Sequence, residues 1–317
     1  MSKEATRDRY GKVLLQLARE DRNVIAMDCD LGRSTRSFQI TEVDESRFLE
    51  MGISEQDMIS TAAGMAHEGK IVFANTFAVF GTGRCFDQIR QQLSLARLNV
   101  KVCGSSAGLT QGPDGATHQA VIDVSLMRSL PNMVVIVPAD GPQTEAAVRE
   151  AYEHQGPVYL RLSRYDCENV FEEGYPHDIY KAVELREGKD AAIIVCGVIL
   201  GHALEAARIL AEKGISAGVI NIPVVKPLDR EAVMKAAMKY SVLVVVEEHS
   251  IYGGLGSAVA EVVAEMDGAN RAIVAREGIK DSFGESGLAD DLLKKHELDA
   301  VGIAEKVIRN IRQGEAD

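Results

Sequence analysis

A carboxylate stands at the start of a predicted helix, in a position where it could hold or release a proton. Glu55 follows a short apolar stretch that ends at Gly52, and the preceding residue, Ser54, has a side chain typical of a helix cap. An acid in the first turn of a helix is ordinary helix-start chemistry, so Glu55 has a structural explanation as well as a catalytic one. The residues that follow other predicted strands decide between the two.

Two later segments place aromatic and titratable side chains directly after predicted strands. Phe77 and Phe80 lie three residues apart beside glycines, and they could form a flat apolar platform for a ligand or simply belong to the core. Asp114 and His118 lie in a long polar loop after the next strand, where they could bind hydroxyl groups or transfer a proton. Asp114 before Gly115 is also a common turn pair, and His118 could cap a helix.

Arginine and serine side chains offer contacts for an anion. The loop after the first strand contains Asp30 and Ser34, while Arg7 precedes that strand and Arg164 follows the last strand of the first half. Guanidinium groups suit phosphate oxygens, although exposed arginines are most often simply solvated. Ligands of open parallel sheets bind at the carboxyl ends of the strands, so we expect these loops to converge there.

The elements that would position these side chains alternate between strands and helices. Apolar runs such as 70–74 and 100–104 alternate with segments of helical periodicity, which predicts mostly parallel sheets with helices on both faces. We predict an α/β protein with two doubly wound domains. A turn-rich linker at residues 166–188 separates a first domain, residues 1–165, from a smaller second domain, residues 189–317. The predicted elements include helices at 4–20, 85–98 and 118–129 and a strand at 242–246.

Composition excludes several classes of protein. The 317-residue chain carries a formal net charge of -12, which disfavours nucleic acid as a partner because phosphate binding needs a concentrated basic surface. Its five cysteines have no Cys-x-x-Cys spacing, which argues against a disulfide framework and a zinc site. No run approaches the roughly 20 apolar residues of a membrane span, and the charged N-terminal stretch does not resemble a signal peptide. We expect a cytoplasmic protein with no metal site of its own.

Taken together, these residues resemble the second half of transketolase. The resemblance covers the pyrimidine-binding domain and the C-terminal domain of that family. It implies thiamine diphosphate as the cofactor and transfer of a two-carbon ketol unit between sugar phosphates as the reaction. The matching segments, in the order of the family, are residues 52–56, 76–80, 114–119, 162–164, 225–229 and 247–249.

The resemblance assigns four residues to the cofactor. Glu55 matches the acid that contacts the ring nitrogen of the aminopyrimidine and so promotes loss of a proton from the thiazolium carbon. Burial would help Glu55 in this role, because it favours a shared proton over a fully ionised carboxylate. Phe80 matches the aromatic ring that stacks on the aminopyrimidine, and Phe77 lines the same pocket. Asp30 falls where the family has an acid near the cofactor.

The resemblance assigns five residues to the substrate. Asp114 and His118 match a pair that binds the hydroxyl groups of the donor sugar, and His118 also assists proton transfer near neutral pH. Arg7, Ser34 and Arg164 match the group that binds the phosphate of a sugar phosphate.

One part of the family pattern is missing. Thiamine diphosphate enzymes hold Mg²⁺ and the diphosphate with a Gly-Asp-Gly segment followed by Asn, and this chain contains no Gly-Asp-Gly. We therefore predict a split transketolase, in which a separate N-terminal subunit supplies the diphosphate-binding domain and Mg²⁺, with two copies of each chain. A longer loop before Asp114, and Gly83 where many members have tyrosine, point to atypical sugars such as a branched-chain sugar phosphate.

Three other interpretations stay open on the sequence. A beta-type subunit of a 2-oxo acid decarboxylating dehydrogenase shares the layout, the glutamate and the need for a partner, but Asp114 and His118 favour sugar phosphates. A deoxyxylulose-phosphate synthase-like half is disfavoured because Phe80 occupies the position where that group usually has arginine. A non-catalytic assembly or regulatory subunit would have no need of Glu55.

Overall fold

The chain forms two large β-sheets flanked by helices, and the computed structural model describes residues 2–267 and 271–314. The strands are β1 (Lys3–Ala5), β2 (Val24–Asp28), β3 (Phe48–Glu50), β4 (Ile71–Phe77), β5 (Val100–Ser105), β6 (Val134–Ile136), β7 (Val158–Arg161), β8 (Asp166–Glu168), β9 (Val183–Arg186), β10 (Ala191–Val195), β11 (Ala217–Asn221), β12 (Val224–Lys226), β13 (Val242–Ser250) and β14 (Ile273–Ile279). The α-helices are α1 (Thr6–Glu20), α2 (Gly32–Thr35), α3 (Glu55–His67), α4 (Phe86–Gln88), α5 (Asp123–Ser129), α6 (Gly141–Glu153), α7 (Leu200–Glu212), α8 (Arg230–Lys239), α9 (Leu255–Ala264), α10 (Ala289–Lys295) and α11 (Ala300–Gly314). Short 3₁₀ or π-type turns lie at Ser37–Glu42, Glu45–Arg47, Phe80–Arg84, Ile89–Ser94, Leu109–Gln111 and Gly197–Ile199.

A seven-stranded sheet organises the first half of the chain. Its strand order is β12-β6-β7-β5-β4-β2-β3, and neighbours are parallel except for the β12–β6 pair at one edge. The central strands are almost entirely buried because helices cover both faces of the sheet. On one face α1 and α6 pack through residues such as Tyr10 and Val148, and on the other face α3 packs through Met58 and Ile59.

A five-stranded sheet organises the second half. Its order is β14-β13-β10-β11-β9, with only β9 antiparallel to its neighbour. Successive side chains of a strand point to opposite faces, so Ile193 of β10 packs in the core with α7 and α11, while Ile194 packs in the core with α8 and α9. The continuous apolar run of β10 is therefore explained by helices that pack on both faces of the sheet.

The two halves are joined by backbone pairing as well as by the chain connection. The edge strand β12 comes from the second half but pairs with β6 of the first sheet. Strand β1 pairs antiparallel with β8, which lies within the predicted linker, with Ala5 opposite Asp166. These two pairings fix the second half against the first.

The predicted fold class is confirmed, and the differences from the predicted elements are local. The first helix begins at Thr6 because the residues before it form β1. The helix predicted at 118–129 begins only at Asp123, because the carbonyl of Gly115 accepts turn hydrogen bonds from the backbone of His118 and Gln119. The helix predicted at 85–98 is replaced by π-type and α-helical turns between Phe80 and Ser94, and the strand predicted at 242–246 continues to Ser250. Among the described residues, no helix is both long enough and apolar enough to span a membrane.

Candidate active site

The carboxyl ends of β4 and β5 bring several candidate side chains to one edge of the first sheet. Phe77, the last residue of β4, pairs with Ser105, the last residue of β5. The segments that follow these parallel strands therefore leave the sheet on the same side. The first of them carries Phe80 and the second carries His118.

Glu55 is the first residue of α3, and its side chain is turned away from solvent. It is only 2% exposed. Its Oε2 lies 2.7 Å from Nη1 of Arg84, whose side chain is 46% exposed. Ser54 occupies the N-cap position but makes no capping hydrogen bond with its side chain. The buried Glu55 carboxylate is therefore balanced by a guanidinium group whose side chain is partly exposed.

Two phenylalanines and a histidine form an aromatic cluster beside this ion pair. The rings of Phe77 and Phe80 are stacked, with centroids 6.2 Å apart and an interplanar angle of 19°. The imidazole of His118 meets Phe80 edge-on, with centroids 5.2 Å apart, and Phe77 edge-on at 6.2 Å. Phe77 is buried, while Phe80 and His118 are half-buried. The structure thus brings together side chains from two segments, the one that ends β4 and the one that follows β5.

Arg84 connects the acid to the aromatic cluster, and the sequence analysis missed it. Its guanidinium carbon lies 4.8 Å from the centre of the Phe80 ring, in a cation–π contact, while the same group binds Glu55. Arg84 follows Phe80 by four residues, a spacing that places two side chains on the same face of a helix. That spacing is the signal that could have found it.

Asp114 and His118 lie on one loop but have different contacts. The Asp114 carboxyl group accepts a hydrogen bond from Nε2 of Gln111, and its Oδ2 lies 3.6 Å from Nη1 of Arg164. Nδ1 of His118 lies 2.9 Å from the hydroxyl oxygen of Thr117. The structure therefore pairs Asp114 with Arg164, two of the predicted substrate residues, and places His118 against the aromatic rings.

Arg7 lies among charged side chains of both signs. Nη1 of Arg7 donates a hydrogen bond to the backbone oxygen of Ser34 at 3.1 Å, so the contact does not use the Ser34 hydroxyl group. Burial lowers the pKa of Arg7, nearby Asp8 partly offsets this effect, and the positive charges of Arg36 and Arg164 lower the pKa further. The buried Nε of Arg7 has no hydrogen-bond partner among the described residues. Carboxylates lie close to these guanidinium groups, with Asp8 3.9 Å from Arg7 and 2.5 Å from Arg36.

Asp30 lies at the rim of a surface cleft that Ser34 also lines. Its side chain is exposed, and its backbone N–H donates to Oε1 of Glu50 at 2.7 Å. The neighbouring Asp28 is fully buried and organises this loop, because its carboxyl group accepts hydrogen bonds from one backbone and two hydroxyl donors within residues 31–37. Burial raises the pKa of Asp28 to about 6.

Family models match both halves of the chain. The model of the transketolase pyrimidine-binding domain matches residues 2–168, and the model of the transketolase C-terminal domain matches residues 180–303. The chain belongs to the transketolase family. The resemblance inferred from the spaced motifs is therefore confirmed, and both matched domains belong to the C-terminal half of transketolase.

Transketolase relatives of the same length as this chain are themselves subunits or sections. A provisionally named transketolase C-terminal section of Methanocaldococcus jannaschii is 42% identical over 306 residues, which cover 96% of this chain and 95% of that protein. The 6-deoxy-6-sulfo-D-fructose transketolase subunit SqwH of Clostridium sp. (strain MSTE9) is 40% identical over 295 residues, which cover 93% of this chain and 90% of that subunit. A solved structure described as a split gene transketolase, inactive beta4 tetramer, is 42% identical, with a TM-score of 0.89 over 97% of this chain and 98% of that one.

Longer members of the wider family also match. The 1-deoxy-D-xylulose-5-phosphate synthase 1 of Geobacter sulfurreducens is 38% identical over 305 residues, which cover 93% of this chain but only 46% of the synthase. The chain thus spans about half the length of such synthases. Transketolases and these synthases depend on thiamine diphosphate.

The transketolase residues of this chain fit the pyrimidine end of that cofactor. The planar guanidinium of Arg84 already makes the two contacts that an aminopyrimidine ring requires, an N–H bond to the Glu55 carboxylate and stacking on Phe80. Near the ends of β4 and β5, the buried hydroxyl groups of Thr76 and Ser105 have no hydrogen-bond partner among the described residues. Within residues 2–267 and 271–314, no group of three or more His, Cys, Asp or Glu side chains could hold a metal ion.

Proposed function

We propose that this chain is the C-terminal subunit of a thiamine diphosphate-dependent transketolase, which transfers a two-carbon ketol unit between sugar phosphates. The observation that carries the proposal is the series of contacts from Glu55 through Arg84 to Phe80, which offers a buried carboxylate and an aromatic face to a single planar ring. The imidazole of His118 stands edge-on to the same aromatic ring, so a side chain able to accept or donate a proton lies beside the proposed cofactor site.

The residues of the chain would act on protons and on water. When bound, thiamine diphosphate supplies the nucleophilic carbon to which the ketol unit is transferred. Glu55 would present a buried carboxyl oxygen to the ring nitrogen of the aminopyrimidine. Phe77 and Phe80 cover one side of the pocket with apolar surface. Nδ1 of His118 is engaged by Thr117, so Nε2 is the nitrogen that exchanges a proton with a substrate hydroxyl group.

The substrate residues would divide between hydroxyl groups and phosphate. The Asp114 carboxyl group accepts hydrogen bonds from sugar hydroxyl groups, and Arg164, 3.6 Å from it, reaches toward the phosphate. Arg7 and Ser34 extend this phosphate site, since the guanidinium of Arg7 contacts the backbone of Ser34 and its buried Nε has no hydrogen-bond partner among the described residues. Asp30 would be a further acid near the cofactor, at the rim of the cleft that Ser34 also lines.

The chain would need a partner to complete the enzyme. It contains no Gly-Asp-Gly segment, so an N-terminal transketolase subunit carries the diphosphate-binding domain and holds Mg²⁺. We propose a cytoplasmic heterotetramer with two copies of each chain. A split-gene transketolase that is similar to this chain is described as an inactive beta4 tetramer, and inactivity is what we expect of this half without its partner.

Reconstitution tests the proposal. The purified chain is mixed with the N-terminal transketolase subunit of its own organism, thiamine diphosphate and Mg²⁺, and ketol transfer from a panel of ketose phosphates is measured. We expect activity only in the mixture. In the complex, Glu55→Ala should lose activity by about 100-fold or more, whereas the matched control Asp57→Ala should keep it, because Asp57 lies exposed in the same turn of α3.

Two results would contradict the proposal. Turnover of ketose phosphates by the chain alone would show that no partner is needed. A fully active complex with Glu55→Ala would show that the chain is a non-catalytic subunit. The panel should include branched-chain sugar phosphates, because Gly83 and the long loop before Asp114 point to atypical sugars. It should also include sulfonated sugars, because a relative is named a 6-deoxy-6-sulfo-D-fructose transketolase subunit.

A deoxyxylulose-phosphate synthase-like half is the second candidate, favoured by the 38% identity to the synthase of Geobacter sulfurreducens. The same complex separates the two functions when pyruvate and glyceraldehyde 3-phosphate replace the ketose phosphate. A synthase releases CO₂ from this pair, and a transketolase does not use it. Release of CO₂ from other 2-oxo acids would instead support a beta-type subunit of a 2-oxo acid dehydrogenase.

A further inference from the structure

The loop that carries Asp114 and His118 is held by the other half of the chain. We call residues 108–119 the substrate loop. The Glu248 carboxyl group, from β13 of the second sheet, accepts a hydrogen bond from the backbone N–H of Thr110, and its Oε2 lies 3.2 Å from the Thr110 hydroxyl group. Both residues are almost fully buried, with 4% of Glu248 and 2% of Thr110 exposed. One carboxylate of the C-terminal domain therefore binds two donors of a single loop residue.

Gly108, at the start of the substrate loop, lies directly against the Glu248 carboxylate. Gly108 has a φ of +77°, in the region that favours glycine. A Cβ atom added to Gly108 would lie 2.4 Å from the Glu248 carboxyl carbon. The backbone of the loop thus passes directly against the Glu248 side chain.

The far end of the substrate loop is held by a second segment of the C-terminal domain. Nε2 of Gln119 donates a hydrogen bond to the backbone oxygen of Glu285 at 2.9 Å. A Cβ atom added to Gly115 would lie 2.6 Å from the hydroxyl oxygen of Ser286. Asp114 and His118 therefore lie on a loop that is fixed at both ends by residues from outside its own domain.

Thr110 also contacts the segment that carries Arg164, one of the proposed substrate residues. Its hydroxyl group lies 3.2 Å from the hydroxyl group of Ser163, the neighbour of Arg164. The Arg164 guanidinium in turn lies 3.6 Å from Asp114. A short path of polar contacts thus runs from Glu248 to the pair that we assign to the substrate.

Burying the Glu248 carboxylate costs free energy of folding, so stabilisation of the fold does not by itself explain why this residue is a glutamate. Burial raises the pKa of Glu248 to about 7, although the charge of Arg161 and the Thr110 hydrogen bonds lower it in part. Keeping the group ionised at neutral pH opposes folding, and apolar replacements of buried charges are often neutral or stabilising. Holding Thr110 in one orientation gives this side chain a role that an apolar residue could not take.

We propose that Glu248 is a positioning residue of the transketolase reaction, which holds the substrate loop so that Asp114 and His118 face the donor sugar. The inference rests on the proposed function for its kinetic consequence. The contact itself, between Glu248 and the substrate loop, can be measured without any activity.

Two variants of Glu248 test the inference. In the complex with the N-terminal subunit, Glu248→Ala should raise KM for the donor ketose phosphate about tenfold, as expected for loss of a hydrogen bond to a charged group, with the Kd of thiamine diphosphate changed less than about twofold. Glu248→Gln should recover most of the loss, because its amide oxygen still accepts from Thr110. In the full chain alone, amide hydrogen exchange of residues 105–119 should accelerate in Glu248→Ala and less in Glu248→Gln.

The adjacent Glu247 supplies a matched control. Its carboxyl group accepts from the backbone N–H groups of Leu255 and Gly256 at 2.8 and 2.9 Å, at the start of α9 within its own domain. Glu247→Gln should change exchange around residues 253–257 and leave both the substrate loop and the donor KM as in the wild type.

The outcomes separate failure of this inference from failure of the proposed function. Unchanged exchange of the substrate loop in Glu248→Ala would overturn the inference whatever the activity. Faster exchange with only the apparent kcat lowered, in proportion to the lost folded protein, and with the donor KM unchanged would also overturn it, because Glu248 would then be merely structural. A wild-type complex inactive on every ketose phosphate would refute the proposed function, while loop exchange would still decide whether Glu248 holds the loop.

Discussion

Arg84→Met would leave the buried Glu55 carboxylate without the guanidinium group that balances it. Breaking a fully buried ion pair costs about 3–5 kcal/mol, whereas exposed pairs contribute only about 0–1 kcal/mol. Glu55 is 2% exposed but Arg84 is 46% exposed, so this pair lies between the two limits. We therefore expect Arg84→Met to lower the free energy of unfolding of the isolated chain by about 1–2 kcal/mol at pH 8.

A double-mutant cycle isolates the pair from other effects of the substitution. The free energy of unfolding is measured by urea denaturation, followed by far-UV circular dichroism, for the wild type, Arg84→Met, Glu55→Gln and the double variant. The two substitutions should be non-additive by about 1 kcal/mol, because neutral Glu55→Gln no longer needs a cation. Arg90→Met is the matched control, since Arg90 lies exposed six residues along the same helical stretch, and it should change stability by less than about 0.5 kcal/mol.

Additivity would refute this reasoning. If the coupling energy falls below about 0.3 kcal/mol, the usual scatter for independent sites, then Arg84 does not balance Glu55 in solution. Arg84 would then no longer connect Glu55 to Phe80, the series of contacts on which the proposed function rests. A large effect of Arg90→Met would refute it differently, by showing that any lost cation on this stretch has the same consequence.

Three further predictions each concern substitution of a buried residue. Asp28→Asn should gain stability relative to the wild type by up to about 3 kcal/mol as pH rises from 4 to 7. Burial raises the pKa of Asp28 to about 6, so ionisation of this carboxyl group opposes folding of the wild type as pH rises. Denaturation of both proteins at the two pH values measures the difference. Gly254→Ala should lower the melting temperature, because its Cβ would lie 2.0 Å from a Glu247 oxygen, whereas Gly64→Ala in open space should raise it slightly. Lys101→Met should lower stability, since it removes hydrogen bonds to two backbone carbonyls. This loss of stability should grow from pH 7 to pH 10, because burial lowers the pKa of Lys101 to about 7. Thermal unfolding at the two pH values checks both expectations.

The alternation of elements was enough to predict both sheets, because a strand covered on two faces reads as a continuous apolar run. The same rule explains where prediction failed. The strand predicted at 242–246 leaves out the last four residues of β13, which are polar but buried. Glu248, His249 and Ser250 contact residues of the first half of the chain, and Glu247 contacts the start of α9. Their burial depends on partners distant in sequence, which no local pattern contains.

The candidate site was predicted in part for a similar reason. Phe77, Phe80 and His118 were found because each follows a strand, and the structure brings their rings together. Arg84 was missed because a charged residue in a polar stretch has the same local pattern whether it is solvated or paired with a buried acid. Asp114 was predicted to act with His118, but its charged neighbour in the structure is Arg164, a contact set by the path of the loop.

Three adjacent residues of β13 show how the second domain reaches the site. Glu247 binds the start of α9 in its own domain, Glu248 binds Thr110 of the substrate loop, and Nε2 of His249 accepts from the backbone N–H of Ser125 in α5. Because these residues share one strand, a movement of the second domain that shifts His249 away from α5 must also shift Glu248 away from the substrate loop. The geometry of Asp114 and His118 is thereby tied to the contact between the domains, so substitutions that loosen this contact should weaken donor binding even where they lie far from the cofactor site.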